Sequence, residues 1–105
     1  MWQYLEMVTR GGTIAVYIMA NRKNGTLYTG VTSDLVGRVY QHRETPKGFV
    51  KQWGCNKLVW YEVHEWMEGA ITREKSIKSY RRQNKINLIE KLNPDWRDLY
   101  YELQN

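Results

Sequence analysis

The sequence is poor in the features that mark secreted and membrane proteins. Its 105 residues include one cysteine, Cys55, so an internal disulfide and a cysteine-rich zinc site are excluded, and this thiol is expected to be a small buried hydrophobe. No stretch approaches the run of about 18 apolar residues that a membrane span needs. The first six residues lack the basic flank and the apolar run of a signal peptide. We therefore expect a cytoplasmic protein.

Internal repeats, and the length needed for a second core, are also missing. A chain of 105 residues without a repeat period predicts one domain over residues 1–105, and it excludes a two-domain enzyme, a long coiled coil and a repeat solenoid. The chain is 42% hydrophobic and 26% charged, a balance that favours folding over disorder. Five tryptophans and eight tyrosines give it a large buried surface per residue.

Acidic residues are outnumbered, and this points to a class of partner. Sixteen Lys and Arg stand against eleven Asp and Glu, which gives a net charge of +5. Between Glu68 and Leu92 there are seven basic residues and three acidic ones. Such an excess is typical of proteins that bind nucleic acid. A solvated helix face would give the same pattern.

The first third of the chain predicts an antiparallel hairpin. Residues 13–20 are apolar and rich in β-formers, as in a buried strand. The following turn, Asn21 to Gly25, contains an Asn-Gly pair, which is typical of a tight hairpin connection. Residues 26–32 predict the second strand.

The rest of the chain alternates between helical and extended patterns. A helix is predicted over about 34–44, with capping residues at 32–34, and it is followed by a loop or short helix at 49–56. A strand is predicted at 57–67 and a turn at Glu68-Gly69. The last predicted elements are a helix at 70–79 and a second helical piece near 84–92 that ends at Asn93-Pro94. The apolar tail at 96–103 is expected to fold back on the core. The fold class is therefore α/β, with a small, mainly antiparallel three-stranded sheet flanked by helices in the order β-β-α-β-α-α.

Two tyrosines of the predicted hairpin are candidates for chemistry. Tyr17 and Tyr28 lie on its two strands, and opposed strand positions can bring two phenols to one face. Taken alone, these positions are better explained by half-buried strand tyrosines without a chemical role. Gly30, near the end of the second strand, either allows a ligand or a backbone to approach closely or marks a bulge.

Charged side chains also occur beside core positions of two predicted helices. Arg38 and His42 share a face, and an arginine beside apolar neighbours needs an anion, either a carboxylate or a phosphate, unless it extends into solvent. His42 would also fit as a surface histidine at a helix end. Glu74 falls in an apolar stripe with Ile71 and Ile77, where a carboxylate must be paired or bind a metal ion. A salt bridge to Arg38 or to a helix lysine is the alternative.

Taken together, one carboxylate, one arginine, two phenols and one imidazole in a basic surround suit phosphodiester hydrolysis. A carboxylate can hold a divalent ion that polarises the phosphate and offsets charge on the leaving oxygen. Arginine stabilises the charge that builds up on phosphorus. A phenol or an imidazole handles the proton of the attacking water.

The arrangement of these residues resembles the GIY-YIG endonuclease family. Ala15-Val16-Tyr17 and, after ten intervening residues, Tyr28-Thr29-Gly30 resemble its paired signatures, followed by Arg38 and His42. Residues 70–82, 88–90 and 93–99 resemble its small single-domain bacterial branch, which is similar to the N-terminal nuclease domain of an excinuclease. The resemblance covers about residues 13–99, the expected core. The first signature lacks the leading glycine and the second has Thr29 in place of isoleucine, but both tyrosines are kept.

The resemblance implies roles for the matching side chains. Glu74 would bind a single Mg²⁺ or Mn²⁺, Tyr28 would be the leading candidate for general base, and Tyr17 would position or assist it. Arg38 would stabilise the pentacovalent phosphorus, and His42 would contact phosphate or relay a proton.

A supporting polar residue and an outcome are implied as well. Asn93, or alternatively Asn87, would support the site. The expected function is a metal-dependent endonuclease that cuts DNA to leave a 5′-phosphate and a 3′-hydroxyl, with low sequence specificity or selectivity for DNA structure, in repair or recombination. The residues expected to grip DNA are Lys51, Arg73, Lys78, Arg81, Arg82 and Lys85. The alternatives are a non-catalytic nucleic-acid-binding module on this scaffold and a protein-interaction domain with incidental charge.

Overall fold

Within residues 12–103, which the computed structural model describes, three antiparallel strands form a sheet in the order β2-β1-β3. The elements are β1 (Ile14–Ala20), β2 (Leu27–Thr32), α1 (Leu35–Glu44), α2 (Gly48–Trp53), β3 (Lys57–His64), α3 (Met67–Lys78), α4 (Arg82–Leu92) and α5 (Tyr100–Leu103). The predicted fold class is confirmed. The expectation about a signal peptide concerns positions outside this range. None of the described helices combines the length and apolar character that crossing a membrane requires.

The central strand β1 is covered on both faces. Its odd-numbered residues from Ala15 to Met19 pack with residues of α1, α2 and α5, and its even-numbered residues from Val16 to Ala20 pack with residues of α3 and α4. This explains why the sequence of β1 is continuously apolar, because a strand buried on both faces has no solvent side. Tyr17 therefore belongs to the face that α1 covers.

The hairpin turn is held by side-chain and backbone hydrogen bonds. The Gly25 N–H donates to the Arg22 carbonyl at 2.9 Å, and the Thr26 N–H donates to Asn21 Oδ1 at 2.9 Å. Asn24 takes the left-handed conformation, with φ of 58°. The predicted hairpin is confirmed, with a loop longer than the two-residue connection that an Asn-Gly pair often forms.

The start of α1 depends on one glycine. Asp34 caps the helix by accepting a hydrogen bond from the Gly37 N–H at 3.1 Å, as the sequence predicts. A Cβ atom at position 37 would lie 2.2 Å from Asp34 Oδ2. Gly37 therefore makes room for the cap, which offsets the loss of helix propensity that a glycine brings.

Two predicted boundaries around α3 are wrong. The third strand ends at His64 and not at 67, and α3 begins at Met67, so Glu68 and Gly69 form its first turn and not a separate turn. The Ala70 N–H donates to the Trp66 carbonyl at 3.2 Å, which makes Trp66 the residue that caps the helix. An acidic residue in the first turn is favourable because the helix N-terminus carries partial positive charge.

The other two helical predictions differ less from the structure. The loop or short helix predicted near 49–56 is a short helix, α2, and it ends at Gly54, whose φ of 64° is accessible to glycine without strain. The helix predicted near 84–92 begins two residues earlier, at Arg82.

The C-terminal tail covers the outer edge of β3. The Leu99 N–H donates to the Leu58 carbonyl at 2.7 Å, and the Leu58 N–H donates to Asp98 Oδ1 at 3.1 Å. Trp96, Leu99 and Tyr100 are buried, so the predicted return of the tail to the core is confirmed. Cys55 is also buried, as expected.

Gly30 leaves space for a ring across the hairpin. It pairs with Tyr17 in the β1–β2 register, and a Cβ atom on it would lie 2.5 Å from both Cζ and the hydroxyl oxygen of Tyr17. The group that approaches Gly30 closely is thus the Tyr17 ring, and not a ligand or a backbone segment. Gly30 of the Tyr28-Thr29-Gly30 segment is therefore in direct contact with the Tyr17 ring.

Gly30→Ala is expected to lower the free energy of unfolding by about 1–3 kcal/mol, because the new methyl group must displace the buried Tyr17 ring. Urea denaturation measures the change. The matched control is Gly69→Ala, whose new Cβ would meet only His64 Nδ1, at 3.6 Å, inside a helix. That variant is expected to be as stable as the original chain or up to about 1 kcal/mol more stable. Equal stability of both variants would contradict the steric argument.

Candidate functional site

Three rings meet on the face of the sheet that α1 covers. Tyr17 pairs with Gly30 and Tyr28 pairs with Met19, so both phenols lie on one face of the hairpin, with ring centroids 6.3 Å apart. His42, near the end of α1, lies 5.6 Å from the Tyr17 ring and 5.4 Å from the Tyr28 ring. Its Nε2 atom is 2.8 Å from the Tyr17 hydroxyl. The two tyrosines and the histidine therefore form one contiguous cluster.

Tyr17 and His42 of this cluster are both neutral at neutral pH. Burial raises the pKa of the Tyr17 phenol well above its ordinary value, and nearby Tyr28 raises it further, while Arg38 acts in the opposite direction. Burial lowers the pKa of His42 below 6.5, and the positive charge of Arg38 lowers it further. A neutral imidazole has one nitrogen that accepts. These two neutral groups share the hydrogen bond between the Tyr17 hydroxyl and His42 Nε2.

Arg38 lies one turn before His42 on α1 and faces an open cavity. The cavity has a volume of about 260 Å³ and is lined by Arg38, His42, Gln41, Thr45 and Lys47. Among the residues that the structure describes, no acidic side chain forms an ion pair with Arg38. The guanidinium is thus available for an anion from outside the chain, which is one of the two options that the sequence left open.

Glu74 is buried on α3 and pairs with a lysine. Its carboxylate lies 2.7 Å from Lys78 Nζ, one turn later, and the residue is 8% exposed. The buried stripe of α3 runs through Ala70, Glu74 and Ile77, whereas Ile71 is partly exposed, so its predicted place in the stripe is wrong. Of the two alternatives for a salt bridge, the structure shows the helix lysine and not Arg38.

A second cavity brings the Glu74–Lys78 pair and the ring cluster to the same edge of the sheet. It has a volume of about 260 Å³, and its lining includes Tyr28 and Thr29 of β2, Phe49 of α2, and Lys78 of α3. Tyr28 and Phe49 come from one side of the sheet and Lys78 from the helix on the other. Glu74 itself does not line this cavity and is linked to it only through its ion pair with Lys78.

Asn93 lies away from the rings, in a position that joins chain segments. It is fully buried, and its Nδ2 donates to the carbonyls of Val59 and Arg97 at 3.0 and 2.9 Å. Its Oδ1 accepts from the Arg97 N–H at 3.0 Å. The amide thus satisfies a carbonyl of β3 next to the register shift between β1 and β3. Asn87, the alternative placement, is exposed and contacts Gln83.

The six basic residues expected to grip DNA fall into two groups. Three already make hydrogen bonds or ion pairs: Arg73 with Glu62 and Tyr80, Lys78 with Glu74, and Arg82 with the carbonyls of Asn24 and Gly25. The other three are Lys51 and Arg81, which are exposed, and Lys85, which is half-buried.

Sequence reasoning missed part of the lining beside Arg38. Gln41 and Thr45 follow Arg38 by three and seven positions, which is the spacing of one helix face, and Lys47 comes directly after the proline that ends this region. This helical spacing could have identified Gln41 and Thr45 from the sequence. The position of Lys47 depends on the chain direction after α1, which the sequence pattern does not specify.

Asn93→Ala is expected to lower the free energy of unfolding by about 2–5 kcal/mol, because three hydrogen bonds are lost and buried backbone groups keep no partner. Urea denaturation measures this loss. Asn87→Ala, on the exposed face of the same helix, serves as the control and is expected to stay within about 0.5 kcal/mol. A small effect of Asn93→Ala would show that the amide is not needed to join β3 to the end of α4.

The pKa of His42 is expected to lie below 6.5 in an NMR titration of the ring, and Arg38→Gln is expected to raise it partway towards that value. Because the folded-state pKa is lowered, the unfolded chain binds this proton more readily. The free energy of unfolding therefore falls as the pH drops below about 6.5 towards the folded-state pKa, and then levels off. A His42 pKa at or above 6.5 would contradict the neutral imidazole.

Comparison with known proteins identifies the family. The model of the GIY-YIG catalytic domain matches residues 13–87. The chain is similar to UPF0213 proteins of Staphylococcus aureus strains Mu50, N315 and MW2, each 38% identical over 76 residues that cover 71% of this chain and 92% of the relative. No solved structure matches the chain significantly. The matched segment contains both tyrosines, Arg38, His42 and Glu74, and this chain belongs to the GIY-YIG nuclease family.

Proposed function

We propose that the chain is a metal-dependent endonuclease that hydrolyses DNA phosphodiester bonds. The observation that carries the proposal is the cluster in which the Tyr17 hydroxyl is hydrogen-bonded to His42 beside Tyr28 and Arg38. Membership of the GIY-YIG family supports the nuclease chemistry in general terms. A single domain over residues 1–105, a cytoplasmic location and a role in repair or recombination belong to the same proposal.

Arg38 is assigned to the phosphate. Its guanidinium borders an open cavity, and no described acidic side chain forms an ion pair with it. Guanidinium groups bind phosphate oxygens with two parallel hydrogen bonds. In this position Arg38 stabilises the negative charge that develops on the phosphate in the transition state. A charged group stabilises a transition state best when it is already in place before the reaction begins.

The proton of the attacking water is assigned to Tyr28 and His42. Tyr17 is unsuited to act as a base, because its raised pKa keeps the proton on the phenol and its hydroxyl is committed to His42. Tyr28 is half-buried and borders the cavity at the edge of β2. The lowered pKa of His42 keeps its imidazole unprotonated near pH 7. An unprotonated imidazole is the form that can accept a proton from the attacking water. Tyr17 positions this imidazole.

Glu74 is assigned to a single Mg²⁺ or Mn²⁺. Within residues 12–103 no three His, Cys, Asp or Glu side chains come together, and we assign the Glu74 carboxylate as the protein's ligand. The residue fits this role, because its buried carboxylate already holds a cation, the Lys78 ammonium, at 2.7 Å. Lys78 is itself 54% exposed, so it can turn into solvent. When bound, the ion polarises the phosphate and offsets charge on the leaving oxygen.

A row of aromatic rings supports selectivity for DNA structure over sequence. Phe49 lies 6.0 Å from the Tyr28 ring, and Trp53 lies 6.3 Å from Phe49. Both are largely exposed on α2, next to the exposed Lys51. Exposed rings beside a cation stack bases that are not paired, whatever their identity. Nicks, branches and single-stranded segments supply such bases.

Glu74→Gln is expected to abolish cleavage of DNA, lowering the rate at least about a hundredfold, because the loss of one charged contact in a reacting centre has effects of that size. The assay incubates the protein with supercoiled, nicked, branched and single-stranded DNA and Mg²⁺ or Mn²⁺, and follows the products on denaturing gels. Removal of the metal with a chelator is expected to have the same effect as the substitution.

The matched control for this experiment is Glu68→Gln, which removes the same charge from an exposed position in the first turn of α3. It is expected to cut at the original rate. Equal cleavage by all three proteins would refute the assignment of Glu74. DNA binding by the original chain without any cleavage would favour the non-catalytic binding module instead.

A further inference from the structure

A cavity of about 450 Å³ lies at the far end of the hairpin, where the β1–β2 turn meets α4. Its lining includes three cationic side chains, which are Arg22 of the turn and Arg82 and Lys85 of α4. None of its described lining residues is acidic. A concave surface with this composition attracts an anion.

The walls of this cavity are fixed to one another. Arg82 Nη2 donates to the carbonyls of Asn24 and Gly25 at 2.7 and 2.6 Å, which ties the first turn of α4 to the hairpin. A Cβ atom on the buried Gly25 would lie 2.0 Å from Asn21 Oδ1, so only glycine fits at this point of the turn. The cavity therefore needs little ordering before it binds a ligand.

Two of the cations keep their charge available. Among the residues that the structure describes, no ion pair joins Arg22 or Lys85 to an acidic side chain. The hydrogen bonds of Arg82 go to neutral carbonyl groups, so its charge is not cancelled either. Three positive charges lining one cavity repel each other, and an anion relieves that repulsion.

The cavity is continuous with the edge that carries the candidate site. Leu27 and Lys85 line both this cavity and the one that Tyr28, Phe49 and Lys78 line. The two cavities follow β2 from its first residues to its middle. Three positions separate Gly25 from Tyr28, which corresponds to about 10 Å of extended chain.

We infer that this cavity is a distal subsite for a backbone phosphate of the nucleic acid strand being cut. The inference rests on the proposed function, because it assumes that the scissile phosphate lies beside Arg38 and the tyrosines. A rise of about 10 Å along the axis of a duplex corresponds to roughly three nucleotides of one strand, at about 3.4 Å each. The substrate is therefore a strand that continues along β2 for several nucleotides from the cleavage point. A shorter fragment would not reach from the candidate site to this cavity.

The test compares two neighbouring residues of the turn. Arg22→Gln removes a charge that lines the cavity, and Lys23→Gln removes an equal charge from the next residue, which is exposed and not part of the lining. Both are on the surface, so neither is expected to affect folding. Binding of a labelled DNA of about 20 nucleotides, long enough to neutralise several phosphate-binding cations, is measured by fluorescence anisotropy. A chelator is present so that no cutting occurs, and the salt concentration is varied.

Arg22→Gln is expected to weaken binding about tenfold at low salt and to reduce the slope of log K against log salt by about 0.7–0.9, as for the loss of one phosphate contact. Lys23→Gln is expected to leave the slope unchanged. Equal effects of the two substitutions, or none in either, would overturn the subsite, because either result would show that only the overall charge matters.

Shortening the DNA separates this inference from the proposed function. The oligonucleotide is truncated from each end in turn, and the loss caused by Arg22→Gln is expected to vanish when one end, and only one, is too short to reach the cavity. If the original chain cuts no DNA, the proposed function fails, while the binding series still decides whether the cavity holds a phosphate. If cutting proceeds but Arg22→Gln binds every length like the original chain, only the subsite fails.

Discussion

The hydrogen bond between the buried Tyr17 hydroxyl and His42 is the interaction on which the candidate site depends. A phenol at the centre of a fully covered strand must find a partner, because an unpaired buried hydroxyl costs about 1–3 kcal/mol. That partner fixes the end of α1 against the sheet, which in turn places Arg38 beside its cavity. Gly30 completes the arrangement by leaving space for the ring. One requirement for burial thus fixes groups of β1, β2 and α1 relative to one another.

The edge of β2 is where the two sides of the molecule meet. The rings reach it from the side of α1 and α2, and the Glu74–Lys78 pair reaches it from α3 on the opposite side. A three-stranded sheet is narrow enough for side chains from both sides to border one cavity at its edge. A chain of this size can therefore bring side chains from both sides of a sheet together without a cleft between two domains.

Much of the fold and part of the site could be predicted from the sequence. Apolar runs identified the strands, and the spacing of Tyr17 and Tyr28 placed both phenols on one face, because hairpin pairing depends on local order alone. The start of α3 was misplaced, because the apolar Trp66 and Met67 continued the strand pattern although the backbone turns there. The partner of Glu74 and the contacts of Asn93 could not be chosen from the sequence, because they depend on how helices pack against the sheet.

The C-terminal tail covers β3, one of the two edge strands, whereas no such segment is described along the other edge strand, β2. Exposed strand borders invite pairing with a second chain and so promote aggregation. The tail blocks this on the β3 side through its hydrogen bonds to Leu58. The β2 side carries Lys85 and the ion-paired Lys78 instead, and charged side chains at a strand border disfavour pairing with an identical copy of the chain. One border of the sheet is thus closed by hydrogen bonds, whereas the other is guarded only by side-chain charge.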